Sequence, residues 1–327
     1  MNISCKDGSI FTNPFSNRHQ EIKYSIIIPT YNRFEQTLEC LNSVLAIPRN
    51  DFEIIIVDDC STDDSVALIR KVEEPRVSVL VNDKNSGASF SRNNGAYKAQ
   101  GMYLFFLDSD TEVEPKILDL FDNVLESQNN VGMVGPLICY FEQKNRIQSA
   151  GVRIDLMTSK AVGRRYCENI SSISNCTEKL KGGHIQTAFV VPKEIFFKVG
   201  GFDNLFFIMY EESDLAMKIE LLVGKSIFFE PKAIVYHKTP LPENVRGIIS
   251  FLRTVWFKNS KIAYYTSRNR IIFMKRYSKN FYVFLGIFMP AMLAIYSVQC
   301  LLNLRFDLLL ALFRGTLDGL VLALRKQ

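Results

Sequence analysis

From Tyr24 onward, short unbroken apolar runs alternate with stretches in which apolar residues return every three or four positions. Ser25-Ile26-Ile27-Ile28 runs into Pro29 and reads as a strand buried on both faces. Leu38, Leu41, Val44 and Leu45 then mark one face of a helix. The alternation repeats with a strand over 52–57, a helix over 65–72, a strand over 77–81, a helix of small residues over 88–100 and a strand over 103–107. Strands and helices alternating at this spacing predict a mostly parallel, doubly wound α/β sheet. Three of the strands end at Pro29, Asp58 and Asp108, and open sheets of this kind bind ligands at the carboxyl ends of their strands.

The pattern is less regular further on. A strand is expected over 131–138, then loops over 139–181 with a turn at Gln148-Ser149-Ala150-Gly151. Ala188-Phe189-Val190-Val191 reads as a strand ending at Pro192, followed by a helix and by Gly200-Gly201-Phe202-Asp203. A helix over 211–222 precedes two strands, 226–230 and 233–236. Residues 281–302 are 22 positions without a charge, and a membrane-spanning helix needs about 20. Pro290 would kink it. Residues 306–324 are apolar but carry Asp307, Arg314 and Asp318, which suits a surface-lying helix. A true span, a re-entrant or surface-lying hairpin, and a buried helical pair all stay open.

Composition narrows the class. The 327 residues are 47% hydrophobic and 22% charged, which excludes a disordered chain. Seven scattered cysteines without a CxxC pair argue against a disulfide scaffold or zinc ribbon, and three histidines exclude a His-rich metal site. Residues 1–20 are polar and read as a flexible tail without a secretory signal. The net charge of +5 hides an asymmetry. Residues 244–327 hold 13 Lys and Arg against Asp307 and Asp318, so the back is strongly basic and the front, 1–243, is acidic. The basic part adjoins the apolar run, which favours a membrane surface over nucleic acid, and bases beside such a run place that flank in the cytoplasm.

The candidate chemistry sits at the strand ends. Asp108-Ser109-Asp110 directly follows an apolar strand, and two carboxylates so spaced can hold a hard divalent cation. Asp58-Asp59 ends a neighbouring strand, so both acidic clusters converge on one sheet edge. Together with Ile28-Pro29-Thr30-Tyr31-Asn32-Arg33, Ile56-Val57-Asp58-Asp59-Cys60-Ser61-Thr62-Asp63 and Asn85-Ser86-Gly87 through Gly95, these motifs resemble the nucleotide-sugar half of a family 2 glycosyltransferase with a GT-A fold. The resemblance continues through Gly200–Asp203 and Tyr210-Glu211-Glu212-Ser213-Asp214-Leu215 to His237, about two thirds of the chain, and the rhamnosyltransferase-like branch is the nearest.

That resemblance assigns roles. Pro29, Thr30, Tyr31 and Arg33 would wall the nucleotide pocket, with Asp58, Asp59, Gly87, Arg92, Asp108 and Ser109 completing the donor site. Asp59 would accept the pyrimidine N3–H, although Asp58 could equally cap a helix. Asp110, with Asp108 and His237, would hold Mg2+ or Mn2+. Many members carry Glu-Asp where this chain has Glu211-Glu212; Glu212 is expected to be the general base, Asp214 its orienting neighbour and Glu211 an ancillary acid. Acids in a helix first turn also suit the helix dipole without any catalytic role.

The implied activity is inverting, metal-dependent transfer of a sugar from a UDP- or dTDP-sugar to a hydroxyl of a glycan or polyprenyl-linked acceptor. The implied place is the cytoplasmic face of the cell membrane. The Gln-x-x-Arg-Trp motif of processive synthases is absent, the sole tryptophan being Trp256, so transfer of one or a few sugars is expected. The rivals are a polyprenyl-phosphate sugar synthase, which needs no hydroxyl base, and an inactive binding protein of the same fold. Arg268 and Arg270 could reach a polyprenyl phosphate. The expected division is a tail (1–20), a catalytic domain (21–243, donor half 21–115 and acceptor half 116–243), basic juxtamembrane helices (244–280) and an apolar membrane-associated helix or hairpin (281–327).

Overall fold

The computed structural model describes residues 21–180, 182–241, 254–255 and 257–325. The expected tail, most of the junction after residue 241 and Trp256 lie outside the described residues. Strands β1 (Tyr24–Thr30), β2 (Phe52–Asp58), β3 (Val77–Val81) and β4 (Tyr103–Leu107) pair in parallel in the order β3-β2-β1-β4. Between them lie α1 (Phe34–Leu45), the short α2 (Ser65–Ile69) and α3 (Ala88–Lys98).

Both faces of this sheet are covered, because successive side chains of a strand point to opposite faces. Ile26, Ile28, Ile54, Ile56, Phe105 and Leu107 pack with Leu41 and Val44 of α1 on one face. Ile27, Ile55, Val57, Leu104 and Phe106 pack with Ala96 of α3 on the other. That is the physical origin of the unbroken apolar runs in the sequence.

Beyond β4 the sheet becomes mixed. A short β5 (Thr111–Val113), helix α4 (Ile117–Ser127) and the wholly buried β6 (Val131–Tyr140) follow. The stretch read as loops contains small strands, β7 (Ile147–Ser149), β8 (Val152–Ile154), β9 (Ala161–Gly163) and β10 (Glu178–Leu180), and a two-residue β11 (Gly183–His184) follows it. Three-residue strands are too short to display an alternating pattern. The turn at Gly151 is present, with its φ at +91°. Strand β12 (Ala188–Pro192) lies antiparallel to β4, followed by α5 (Lys193–Lys198) and α6 (Glu211–Val223). The two strands expected after it are one, β13 (Ser226–His237), with an irregularity in its pairing with β6 between Glu230 and Ile234, around Pro231.

Three further helices are described: α7 (Ser260–Tyr277), α8 (Phe281–Leu302) and α9 (Phe306–Leu324). A wide π turn over Phe284–Phe288 precedes Pro290, the expected site of a kink.

Candidate active site

The donor-side motifs are tied together by short polar contacts at the ends of β1 and β2. Asn32 Nδ2 donates to Thr62 Oγ1 at 3.1 Å, and Thr62 N donates back to Asn32 Oδ1 at 2.8 Å. Asp58 accepts from Ser61 N at 2.8 Å and from the Ser61 hydroxyl, so it fastens its own turn. Asp59 is buried and accepts from Asn82 Nδ2 (2.8 Å), Ser86 N (2.9 Å) and Gly87 N (2.8 Å), which holds the 82–87 loop against β2. Thr30 is buried with its hydroxyl 2.7 Å from that of Thr37, Pro29 pairs with Val57, and Tyr31 faces outward at the rim. A cleft of about 460 Å³ opens beside the 82–86 loop, lined also by Phe90, Asn94 and Asn204; none of the acidic groups below lines it.

At the end of β4 the chain turns through Asp108, buried Ser109 and Asp110 into β5. Because β5 pairs antiparallel with the end of β13, His237 lies opposite Thr111 and beside Asp110. His237 Nε2 stands 3.3 Å from Asp110 Oδ1, while its Nδ1 is 2.9 Å from Gln148 Oε1. With Nδ1–H donated to Gln148, the Nε2 lone pair of a neutral ring faces a carboxylate. Two electron-pair donors so opposed call for a proton or a cation between them. Arg33 Nη1 donates to Asp110 Oδ2 at 2.6 Å. Burial pushes the Asp110 carboxyl upward, but with a proton on His237 Nε2 the bond that the ring then donates and the Arg33 charge outweigh it and hold it at about 2.

Asp108 is turned elsewhere. Its Oδ1 accepts from Arg92 Nη2 at 2.7 Å. Among the described residues no three His, Cys, Asp or Glu side chains converge as a metal cluster. Asp110 and His237 nevertheless fit a small divalent cation, which commonly takes one or two protein ligands and completes its shell with water and phosphate oxygens.

Arg92 joins the two halves. Buried on α3, it also donates through Nη1 to Glu211 Oε1 at 3.0 Å and lies 3.4 Å, through Nη2, from Glu212 Oε1. Three carboxylates therefore share one guanidinium, whose face lies over the Phe202 ring at 5.5 Å. Burial raises both glutamates above the ordinary value despite the Arg92 charge, Glu212 to about 8; Asp108 adds to the effect at both, and repulsion from Glu211 adds to it at Glu212.

Thr187, which no motif singled out, completes the link. At φ +71° it opens β12; its carbonyl accepts from Asp108 N at 2.9 Å and its N–H donates to Glu212 Oε1 at 3.2 Å. The only sequence signal for it is its position immediately before an apolar run.

Asp214 is not brought to Glu212. One turn along α6 from Tyr210, its fully buried carboxylate accepts from Arg276 Nη1 (2.9 Å) and the Tyr277 hydroxyl (2.7 Å) of α7, with Lys218 Nζ at 3.3 Å. Arg268 donates to the Leu205 carbonyl, and Arg270 is buried with its Nε 3.2 Å from the Tyr210 hydroxyl.

Comparison with known proteins shows the family and the fold. The model of glycosyl transferase family 2 matches residues 25–206, more than half of the chain, and the chain belongs to that family. An uncharacterised glycosyltransferase of Haemophilus influenzae is 30% identical over 72% of this chain and 77% of its own length. A poly(ribitol-phosphate) β-glucosyltransferase of Bacillus spizizenii is 32% identical over 43% of this chain and 24% of its own. Escherichia coli WcaA, named for colanic acid biosynthesis, is 38% identical over 30% and 36%. Matches to several relatives span only 16–38% of those proteins. Among solved structures, Staphylococcus aureus TarS 1–349 with UDP-GlcNAc superposes at TM-score 0.56 and 18% identity, covering 91% of this chain and 80% of that one. GalNAc-T7 with UDP, GalNAc and Mn2+ superposes at 0.56 and 19%, covering 85% and 58%. The fold is the α/β GT-A fold, and structures holding UDP or a UDP-sugar are among its neighbours.

Proposed function

We propose that the chain transfers a sugar, with inversion, from a UDP- or dTDP-sugar to a hydroxyl of a cell-envelope glycan or polyprenyl-linked glycan, at the cytoplasmic face of the membrane. The observation that carries this reading is the Arg92 bridge. It joins Asp108 of the donor turn to the acidic pair that opens α6, so donor and acceptor chemistry share one site.

In this reading Thr30, Tyr31, Asp59 and Gly87 bound the nucleotide, and Arg33 keeps Asp110 aimed at the diphosphate. Asp110 and His237 would hold a Mg2+ or Mn2+ ion, which when bound offsets the charge developing on the leaving diphosphate. Glu212 takes the proton of the attacking hydroxyl as that oxygen closes on the anomeric carbon from the face opposite the diphosphate. One displacement with no enzymic nucleophile inverts the configuration. Arg92 and Thr187 N–H fix the direction of the Glu212 carboxylate, and Glu211 shares the Arg92 charge. Asp214 acts from a distance: it ties α6 to α7 and thereby sets where the acidic pair sits. The Mn2+ in GalNAc-T7 and the UDP-sugar in TarS support the donor class, and WcaA and the poly(ribitol-phosphate) enzyme support an envelope acceptor. The domain division proposed from the sequence is kept, with α7 as the polar junction and α8–α9 as the membrane-associated part.

The test is a panel of UDP-, dTDP- and GDP-sugars with the purified protein and Mn2+, read as nucleoside diphosphate release. Release from one pyrimidine donor, abolished by chelation, is expected. Release from none, or only from GDP-sugars, contradicts the reading.

A further inference from the structure

The apolar helix α8 is long enough to cross a bilayer, at 22 residues and mean hydropathy 2.0 with 17% of its apolar window buried. What lies beside it argues against crossing. Helix α7 is bolted to the catalytic domain at both ends. Near its start, Lys261 Nζ lies 3.2 Å from Asn85 Oδ1 and 4.6 Å from the centre of the Phe207 ring. At its end, Arg276 donates to Asp203 and Asp214. Between them, the Asn269 amide nitrogen lies 2.7–2.8 Å from the carbonyls of Phe206, Ile208 and Met209.

Helix α8 runs back along α7. Its start packs on the end of α7, where Phe281 and Phe284 cluster with Ile271–Met274 and Lys275 Nζ is 5.0 Å from the Phe281 ring centre. Its far end packs on the start of α7, where Cys300 clusters with Phe257 and Ala263 and the Tyr296 ring lies 5.1 Å from that of Phe257. Helix α9 then runs alongside α7 in the same direction. Gly315 meets the Tyr264 backbone, and a Cβ at Gly319 would come within 2.8 Å of the Arg268 carbonyl, so two small residues four apart allow close approach. The Tyr264 hydroxyl donates to Asp318 at 2.6 Å, and Ser260 to Asp307 at 2.9 Å.

A crossing α8 would separate its two ends by the roughly 30 Å hydrocarbon core. Helix α7 would then have to traverse that core with Arg268, Asn269, Arg270 and Arg276, and with the domain surface they bind. Such groups are expelled from hydrocarbon. Meanwhile α8 and α9 leave an outward apolar layer, with Ile287 62% and Leu310 72% exposed beside Leu301, Leu302, Phe306 and Leu317. Exposed Lys275, Lys279, Arg314 and Arg325, for which no carboxylate ion pair is found among the described residues, accompany that layer, as an anionic surface requires.

We infer that α8 and α9 lie flat in a single leaflet of an anionic membrane, with neither crossing it, and that α7 is the polar seam between leaflet and active site. The inference rests on the membrane association proposed above and fixes its geometry. It brings the loop over 203–210 and the acidic pair after it within one helix layer of the lipid surface, so the acceptor site opens close to the membrane.

The test uses the full chain added to preformed sealed vesicles of phosphatidylcholine and phosphatidylglycerol in a 4:1 mixture. Cys5, Cys60, Cys167 and Cys176 are changed to Ser, and single reporters are introduced as Lys279→Cys or Asp307→Cys, beyond the two ends of α8. A membrane-impermeant maleimide should label both reporters equally without lysis. Labelling of one reporter only until the vesicles are lysed would mean a span, and overturns the flat arrangement while leaving membrane association intact. The double variant Leu310→Glu, Leu317→Glu should bind vesicles at least tenfold more weakly with an unchanged unfolding midpoint. Unchanged binding by it overturns the proposed contact face. No vesicle binding by the parent chain, with a dimer that dissociates in the double variant, assigns the face to a second copy and overturns the inference, leaving glycosyl transfer untouched.

Discussion

Replacing Arg92 tests the bridge between the two halves. Arg92→Leu removes a buried guanidinium that holds Asp108 at 2.7 Å, Glu211 at 3.0 Å and Glu212 at 3.4 Å. Each charged hydrogen bond contributes about 1.5–3 kcal/mol, but these contributions do not add, because the freed carboxylates relieve their repulsion by taking up protons. Breaking one buried ion pair costs about 3–5 kcal/mol, and that is the expected loss of stability here. For a domain of this size each kcal/mol lowers Tm by about 2–4 °C, so a fall of roughly 10 °C is expected in a thermal unfolding scan. Arg92→Lys separates charge from geometry. An ammonium is a point charge without the guanidinium fork, so it can serve Asp108 or the glutamates but not both. Stability should fall by only about 1–2 kcal/mol, while turnover, read as nucleoside diphosphate release, should fall about 100-fold as Glu212 loses its aim. An Arg92→Leu variant that unfolds within 1 °C of the parent and keeps turnover within threefold would refute the bridge.

Three further outcomes are expected. Asp110→Asn should remove Mn2+-dependent turnover by at least 100-fold while leaving the unfolding midpoint within about 2 °C; parent-like activity would contradict its role as ligand. The acid limb of the kcat/KM profile should lie well above the ordinary carboxylate range, because burial pushes Glu212 up to about 8 and only its ionised form accepts a proton; rising pH should therefore raise the rate toward pH 8, and a limb near 4–5 would contradict the assignment. Gly87→Ala should weaken UDP binding tenfold or more in titration calorimetry, since φ is +89° there and a Cβ would press into the Phe207 carbonyl and within 2.6 Å of its ring; unchanged affinity would mean that the 82–87 loop does not shape the donor pocket.

The parallel half of the fold was readable because strands buried on both faces write themselves as apolar runs, and because Asp58 and Asp108 stand at the ends of such runs. The residues proposed to hold a metal stood out as residue types, but not the split between Asp110, which meets His237, and Asp108, which meets Arg92. That split depends on how β12 and β13 flank β4 and β5, a long-range pairing with no local signature. Asp214 shows the same limit. On α6 it is one of three first-turn acids, and only the packing of α7, some 60 residues later, turns it toward Arg276 and Tyr277 rather than Glu212. Arg268 and Arg270 read as membrane-facing bases because they precede an apolar run, yet Arg268 is occupied by the 203–210 loop and Arg270 is buried beside Tyr210. Polar contacts between distant segments carry no periodicity, so the polar docking of α7 could not be seen in advance.

Glu212→Gln keeps the shape of the side chain, and with it the contacts to Thr187 N–H and Arg92, but removes its capacity to accept a proton. Measured side by side, UDP affinity in the presence of Mn2+ should stay within twofold of the parent while nucleoside diphosphate release falls by a factor of about 100–10,000. Release within tenfold of the parent would contradict a hydroxyl base at this position, and with it the claim that the Asp108–Asp110 turn and the Glu211–Glu212 pair form the two sides of one transfer site.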